Sequence, residues 1–277
     1  MPASRHVGTG TEPTPPQVLT GMDRHLPFET LHNFRDLGGY RTPDGHHRIR
    51  PGRLYRSDSL GKLTPDTPDW DLFLSLGIRT VLDLRHSWEA DRAGRVPAHP
   101  SFTYRNLSIE HRFYDQAAQT PDVEPGPYLA ERYMEVAEDG TEEIREALRL
   151  IAGTDAPLVF HCASGKDRTG QLAALVLGLL GIDEDLIVED YTLTELATPA
   201  LLADWRTRHD GDSPTWPYYL YAPESVMRLY LTALTSRYGS PQAYVEKALG
   251  LDPESLSTTL RNNLLEPATP GSGPPRG

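Results

Sequence analysis

One cysteine and one arginine stand at a spacing that suits phosphate chemistry. Cys162 is the only cysteine in the chain, and Arg168 follows it after five residues. The apolar run at residues 157–162 predicts a buried strand, and the apolar run that begins at Gln171 predicts a helix. The loop between them turns backbone N–H groups and the positive end of the helix dipole toward one point, where a tetrahedral dianion binds.

The same loop holds the groups that a covalent reaction needs. A thiol in this positive field ionises readily, so Cys162 is a candidate nucleophile. The planar guanidinium of Arg168 can hold two phosphate oxygens at once. Attack of the thiolate on phosphorus gives a cysteinyl-phosphate, which water then hydrolyses. The residues expected to bind the phosphate are Ala163, Ser164, Gly165, Lys166, Asp167 and Arg168.

Strands and helices alternate along the chain that must position this loop. Short apolar runs predict strands near residues 53–57, 78–85, 102–109 and 157–162. Helices are expected between Thr67 and Gly77, over residues 127–152 with an interruption at Gly140, from Gln171 to Gly181, and from residue 183 onward, with N-caps at Asp183, Ser240 and Asp252. This alternation, followed by a helical C-terminal third, predicts an α/β fold with a layered sheet.

The composition of each segment indicates how the chain divides into a domain and flanking tails. Residues 1–26 and 266–277 are rich in Pro, Gly and Thr and lack an apolar period, so we expect a flexible N-terminal arm and a disordered tail. Residues 27–265 carry one continuous pattern without a linker-like break, which predicts a single domain.

Charge and cysteine content exclude several classes of function. The chain has 27 Lys and Arg against 39 Asp and Glu, a net charge of −12, which repels nucleic acid and anionic membranes. No stretch approaches the ~20 apolar residues of a membrane helix, and the N-terminus lacks the apolar core of a secretory signal, so we expect a cytoplasmic protein without stable membrane association. A single cysteine excludes an internal disulfide, and no metal or cofactor is expected. The sequence does not indicate an oligomeric state.

Three segments resemble one enzyme family. The motif His161-Cys162, five residues, Arg168-Thr169-Gly170 resembles the phosphate-binding loop of cysteine-dependent phosphatases. Together with NFRDLGGY (33–40) and VLDLR (81–85), this loop is similar to that of the atypical bacterial tyrosine and lipid phosphatase family. The resemblance covers about residues 30–265. It implies the cysteine-phosphatase fold, with a central, mostly parallel sheet flanked by helices, and a helical lid at residues 183–238.

The resemblance also implies roles for matched residues. Cys162 would be the nucleophile and Arg168 the clamp on the transition state. Thr169 would donate a hydrogen bond to the thiolate, and His161 would orient the loop through backbone contacts. Lys166 matches a position where relatives active on phosphoinositides carry Lys, and it would add positive charge at the pocket rim.

The general acid has three candidates. Many tyrosine phosphatases use the Asp of a Trp-Pro-Asp loop, and no such tripeptide stands before Cys162. Asp167, inside the phosphate-binding loop where the atypical family carries Asp, is therefore the first choice. Asp83, at the end of the VLDLR strand, is the second choice and a supporting residue, and Asp115 is the third. For Lys166 and Asp167 the alternative is a solvated charge pair beside the loop.

Other polar and aromatic residues keep open alternatives. Asn33, Arg35 and Asp36 either line the pocket or stabilise a turn. Arg85 and Glu89 are expected in structural ion pairs, with a contact from Glu89 to the loop arginine as the alternative. An aromatic run is expected to pack onto the helical third, with a substrate entrance as the alternative: Tyr218, Tyr219 and Tyr221.

These observations predict a metal-independent phosphatase that hydrolyses phosphate monoesters through a cysteinyl-phosphate. Its substrate would be phosphotyrosine or a small phosphorylated metabolite, such as a sugar or nucleoside phosphate. A phosphoinositide phosphatase is an alternative that the uncharged Ala163 and Ser164 and the net charge of −12 disfavour. A catalytically silent phosphate-ester binding module is another. A rhodanese-like sulfur transferase is disfavoured by the Arg168-Thr169 ending.

Overall fold

The computed structural model describes residues 24–268, in which short strands alternate with helices. The strands are β1 (Arg35–Asp36), β2 (His47–Ile49), β3 (Leu54–Ser57), β4 (Thr80–Asp83), β5 (Thr103–Asn106), β6 (Leu158–His161) and β7 (Leu265–Pro267). The helices are α1 (Pro68–Ser75), α2 (Ser87–Ala93), α3 (Pro125–Asp139), α4 (Thr141–Gly153), α5 (Asp167–Leu180), α6 (Glu184–Thr192), α7 (Thr198–Arg208), α8 (Glu224–Tyr238), α9 (Pro241–Lys247) and α10 (Pro253–Leu264).

A five-stranded sheet lies at the centre, in the spatial order β1-β3-β6-β4-β5. Strand β1 runs antiparallel to β3, whereas β3, β6, β4 and β5 run parallel to one another. Ser57 and Asp83 both lie in register with His161, so three strands end at the same edge. Ligands of α/β sheets bind at this carboxyl edge. The α/β fold with a mostly parallel sheet, expected from the sequence, is confirmed.

Helices cover both faces of the sheet. Val81 and Val159 pack in a cluster with Phe73 of α1, whereas Leu82 and Phe160, one residue later in each strand, pack in the larger cluster with α3, α4 and α5. Alternate side chains of a strand point to opposite faces. With both faces buried, β4 and β6 have the continuous apolar runs that identified them as strands.

Local capping explains where several helices begin. Thr67 accepts a hydrogen bond from Trp70 N at the start of α1, and Ser240 and Asp252 cap α9 and α10 in the same way. Each of these three helices has Pro in its first turn, where the missing N–H costs nothing. Asp183 stands at the N-cap of α6 but makes no side-chain cap bond.

Gly140 separates α3 from α4, as the sequence predicts. A Cβ at this position would lie 2.1 Å from the carbonyl oxygen of Ile109, so only glycine permits the close approach of the two backbones. The interruption therefore fixes the chain that follows β5 against the end of α3.

The predicted lid segment, residues 183–238, divides into two parts. Helix α8 belongs to the main core, because Met227 and Tyr230 are fully buried in the larger cluster. Helix α7 packs outside it, where Leu201 and Leu220 form a small separate cluster. Whether α7 opens and closes over the sheet edge stays a prediction.

The folded part of the chain begins before residue 27. The arm predicted over residues 1–26 lies outside the described residues for positions 1–23. Arg24 is buried, donates a hydrogen bond to Gly38 O and lies with its guanidinium carbon 3.7 Å from the centre of the Tyr40 ring. These contacts contradict flexibility at Arg24.

The folded part also extends past residue 265. Strand β7 pairs antiparallel with β2, and Arg48 binds Glu266 at 2.7 Å. The tail predicted over residues 266–277 therefore begins with paired residues, and positions 269–277 lie outside the described residues. Within residues 24–268, no helix has both the length and the apolar character needed to cross a membrane.

Candidate active site

The loop between Cys162 and Arg168 joins β6 to α5 at the carboxyl edge of the sheet. Gly165 sits in it with φ +71°, and a Cβ there would lie 2.6 Å from Ser57 O. Both facts require glycine, because other residues rarely adopt this φ and the space is filled. The tight contact presses the loop against the end of β3.

Three carbonyl oxygens of the loop are held from behind. Ser59 N donates to Ala163 O at 3.1 Å, Asn33 Nδ2 donates to Ser164 O at 2.9 Å, and Arg56 Nη2 donates to Gly165 O at 2.7 Å. No hydrogen bond among residues 24–268 uses the backbone N–H groups of residues 163–166 as donors. Four successive donors are thus left for a ligand, in a nest that suits an oxyanion.

A buried ion cluster fixes this support. Asp190 of α6 binds both Arg56 and Arg35, and Arg35 also donates to Asn33 Oδ1. Burial and the charge of Arg56 lower the pKa of Arg35 to about 10. Burial raises the pKa of Asp190, but the two guanidinium groups lower it by more. Asn33 and Arg35 therefore anchor the loop from its outer side.

Asp36, the third of the candidate polar residues in the NFRD segment, has a different role. Its carboxylate accepts hydrogen bonds from the N–H groups of Gly38 and Gly52, at 2.7 and 2.6 Å. It stabilises a turn, one of the two alternatives that the sequence left open.

Cys162 directly follows β6 and has 1% of its surface exposed. His161 Nδ1 stands 3.2 Å from Cys162 O, a backbone contact of the kind expected for His161. Burial lowers the pKa of His161, and the carboxylate of Asp83 opposes this shift. Thr169 is fully buried, and its hydroxyl has no hydrogen-bond partner among the described residues, so its bond to the thiolate stays a prediction.

Arg168 is held by two carboxylates. Its Nη1 and Nη2 bind the two oxygens of Glu89, the second at 3.1 Å, and its Nε lies 3.8 Å from Glu110 Oε2. Burial opposes the charge on Arg168, but Glu89, Cys162 and Glu110 raise its pKa well above the ordinary value. Arg85 forms its ion pair with Asp83, whereas Glu89 contacts the loop arginine, which was the alternative for Glu89.

Asp83 is bound on both oxygens. Arg85 contacts Oδ1 at 2.9 Å and Oδ2 at 2.6 Å, and Tyr104 donates to Oδ2 at 2.9 Å. Burial raises the pKa of Asp83, but His161 and Arg85 lower it to about 2. A carboxylate that stays ionised and fully bonded supports the strand ends and is poorly suited to donate a proton.

The remaining two candidates for the general acid differ in position. Asp115 accepts hydrogen bonds from Ala117 N and Ala118 N, so it caps a surface turn. Asp167 is in the first turn of α5, next to Arg168, and its side chain is 12% exposed. Of the three candidates, only Asp167 belongs to the loop that joins Cys162 to Arg168.

Lys166 is fully buried, which contradicts both a place at the pocket rim and a solvated pair with Asp167. Its Nζ donates to Tyr221 O at 3.1 Å and to Gln116 Oε1 at 3.3 Å, and lies 3.5 Å from Asp167 Oδ1. Two loops cover it, and Thr215 N joins them by donating to Ala117 O at 2.8 Å.

The aromatic run beside Lys166 has a mixed environment. Tyr218 and Tyr221 are 37% and 41% exposed, whereas Tyr219 is partly buried and packs against Trp205 of α7. Tyr219 therefore packs against α7, while Tyr218 and Tyr221 form an exposed aromatic surface.

Sequence reasoning missed four buried polar residues of the site: Arg56, Glu110, Tyr133 and Asp190. A charged residue inside an apolar period was the available signal for Asp190. Within residues 24–268, no group of three His, Cys, Asp or Glu side chains is placed to hold a metal ion.

Comparison with known proteins shows which family the sequence belongs to. A sequence model of the tyrosine phosphatase family matches residues 26–266. A predicted tyrosine-protein phosphatase of Cupriavidus necator is 30% identical over 65% of this chain and 66% of its own length. The triple specificity protein phosphatase PtpB of Mycobacterium tuberculosis is 29% identical over 62% of this chain and 69% of its own.

A solved structure is also similar, that of P. aeruginosa TpbA in complex with pTyr, with 18% identity and a TM-score of 0.33 over 81% of this chain and 96% of that chain. The matched region spans about two thirds of the length of the two sequence relatives. The family match covers nearly all of the described residues and includes every residue of the candidate site. The chain therefore belongs to the tyrosine phosphatase family, and the expected enzyme class, a phosphoric monoester hydrolase of that type, is confirmed at the level of the family.

Proposed function

We propose that this chain is a metal-independent phosphatase that hydrolyses phosphate monoesters through a cysteinyl-phosphate intermediate. The observation that carries the proposal is the loop of four unused N–H donors between a buried cysteine and an arginine held by Glu89. Fixed donors and a guanidinium stabilise developing charge on phosphate oxygens without reorganisation, which is the task that a metal performs elsewhere.

In the first step the thiolate of Cys162 attacks phosphorus while the bond from phosphorus to the leaving oxygen breaks. Asp167 gives its proton to that oxygen, so the alcohol leaves neutral and Asp167 becomes a carboxylate. Arg168 binds two oxygens of the transferring group, and Glu89 keeps the guanidinium in place from its other side.

In the second step a water oxygen attacks phosphorus and the bond from sulfur to phosphorus breaks. The carboxylate of Asp167 takes the proton of that water, and Cys162 leaves as the thiolate. Phosphate is released, and both residues return to their starting protonation states. The cycle consumes one water and requires no cofactor.

Phosphotyrosine and small phosphorylated metabolites are the substrates that the pocket supports best. Cys162 is 1% exposed, so the phosphate must enter deeply, which favours a long aryl ester over the short side chain of phosphoserine. The ammonium of Lys166 is bound by Tyr221 and Gln116 and is not offered to a second phosphate, which weakens the phosphoinositide alternative. The cytoplasmic location and the absence of nucleic-acid partners stay predictions.

The test is phosphate release in EDTA from a panel of phosphotyrosine and phosphoserine peptides, sugar phosphates, nucleotides and phosphoinositides. Cys162→Ser serves as the blank. Cys162-dependent release from phosphotyrosine peptides or from a metabolite supports the proposal. Saturable binding of these esters by the wild-type protein, without release, would instead establish a binding module.

A further inference from the structure

Asp167 is held by a tyrosine from outside the phosphate-binding loop. Tyr133 of α3 is fully buried, and its hydroxyl donates to Asp167 Oδ1 at 2.7 Å. The hydroxyl of Tyr191, from α6, lies 2.9 Å from that of Tyr133. Three elements that are far apart in the sequence thus meet in one chain of hydrogen bonds.

The direction of this chain follows from the number of protons. Tyr133 has one hydroxyl proton and gives it to the carboxylate, so its oxygen must accept the proton of Tyr191. Burial raises the pKa of both tyrosines well above the ordinary value, which keeps both hydroxyls protonated. A donor that itself accepts a hydrogen bond is polarised and donates more strongly.

Both contacts of Asp167 fall on the same oxygen. The Tyr133 hydroxyl binds Oδ1, and Lys166 Nζ also lies closest to Oδ1, at 3.5 Å. An oxygen that accepts these donors is disfavoured as the site of the carboxyl proton, so the proton resides on Oδ2.

We propose that Tyr133, supported by Tyr191, is a positioning residue that fixes Asp167 with its proton on Oδ2, ready for transfer to the leaving oxygen. This inference rests on the proposed role of Asp167 as the general acid. It assigns a catalytic purpose to two buried hydroxyls.

The chain also offers a matched control. Tyr230 of α8 is fully buried and its ring packs against that of Tyr133, with centroids 5.6 Å apart. Its hydroxyl has no hydrogen-bond partner among the described residues. Tyr230→Phe therefore removes a buried hydroxyl from the same helix contact without touching Asp167.

The experiment compares Tyr133→Phe, Tyr191→Phe and Tyr230→Phe with the wild-type protein. We expect Tyr133→Phe to lower kcat/KM on phenyl phosphate roughly 10-fold, because this ratio reports the step in which the leaving oxygen takes the proton. The same variant should lose much less on 2,4-dinitrophenyl phosphate, whose leaving group needs no proton. Tyr230→Phe should match the wild type on both esters.

The pH profile gives a second readout. The basic limb of kcat reports the proton donor, so it should move upward in Tyr133→Phe, which lacks the hydroxyl that donates to this carboxylate, and stay unchanged in Tyr230→Phe. Tyr191→Phe should shift it in the same direction by less, because Tyr133 keeps its own bond to Asp167. This weaker variant carries the test if Tyr133→Phe does not fold.

The outcomes separate the two proposals. If Tyr133→Phe and Tyr191→Phe keep the wild-type pH profile and leaving-group dependence while Asp167→Asn loses both, the positioning role is overturned and the proposed function stands. If the wild-type protein shows no Cys162-dependent release, the proposed function itself fails.

Discussion

Arg56 on β3 donates a hydrogen bond to the carbonyl oxygen of Gly165, in the middle of the loop between Cys162 and Arg168. The same guanidinium is held by Asp190 of α6, which also binds Arg35. The loop is therefore shaped by residues from β1, β3 and α6 as well as by its own sequence. Removing one member of such a buried cluster leaves an uncompensated charge, which is why the two arginines and Asp190 act as a unit.

Gly165→Ala should abolish the loop geometry. The new Cβ would lie 2.6 Å from Ser57 O, and the backbone has φ +71°. We expect kcat/KM on an aryl phosphate to fall by at least about 100-fold, and the free energy of unfolding to fall well beyond the roughly 1–2 kcal/mol that a positive φ costs alone. Steady-state kinetics and urea unfolding measure these losses.

Gly45→Ala is the control for this substitution. Gly45 has nearly the same φ, +70°, and no atom lies within 4 Å of the point that a Cβ would occupy. Its free energy of unfolding should fall only by the cost of the positive φ, and its kcat/KM should equal that of the wild type. Equal losses of stability in the two variants would show that contact with Ser57 does not matter.

The parts of the fold that depend on residues close together in the sequence were predictable. Both faces of the sheet are covered, so β4 and β6 are apolar throughout, and the Cys162–Arg168 spacing marks the loop between strand and helix. The break at Gly140 was also visible, because glycine is a poor helix former.

Contacts between distant segments were not predictable in the same way. Arg85 binds Asp83, two residues before it, which frees Glu89 to hold Arg168. Spacing along the chain allows either pairing, and only the positions of β4, α2 and α5 decide between them. The apolar period of α3 likewise places Tyr133 in the core but does not say which group its hydroxyl meets.

Asp167→Asn should remove proton donation from the reaction. We expect kcat on phenyl phosphate to fall by roughly 10²–10⁴-fold, with loss of the basic limb of the pH profile. Asp115→Asn is the control, because the carboxylate of Asp115 bonds to the backbone of its own turn. A larger loss of kcat in Asp115→Asn than in Asp167→Asn would assign the general acid to the loop after β5.

Asp83 should make the stability of the protein depend on acid pH. Its pKa is about 2 in the folded state, below the ordinary value near 4 of an unfolded chain. The folded state thus binds fewer protons, and the stabilisation of roughly 2 kcal/mol is complete above the unfolded pKa and lost as the pH falls through the folded pKa. The difference in unfolding free energy between the wild type and Asp83→Asn should shrink from pH 6 to pH 3.

Urea unfolding at several pH values tests this dependence. Asp185→Asn is the control, because Asp185 forms an exposed pair with Arg228 and its loss should change the free energy of unfolding by less than about 1 kcal/mol throughout. A difference between wild type and Asp83→Asn that stays constant from pH 6 to pH 3 would contradict the ionised, bonded state of Asp83.

Glu89→Gln should loosen the arginine clamp without removing it. Glu89 is the carboxylate that binds both terminal nitrogens of Arg168, and an amide offers only one acceptor in its place. We expect kcat/KM to fall by roughly 10–100-fold, because a bidentate contact with a charged carboxylate is replaced by a single contact with a neutral amide.

Glu131→Gln is the control, because the side chain of Glu131 is 70% exposed on α3, and its kcat/KM should be unchanged. Because the role proposed for Arg168 is to bind the transferring phosphate, the loss should be similar for phenyl phosphate and for 2,4-dinitrophenyl phosphate. A loss confined to phenyl phosphate would place Glu89 with the proton donor instead of the clamp.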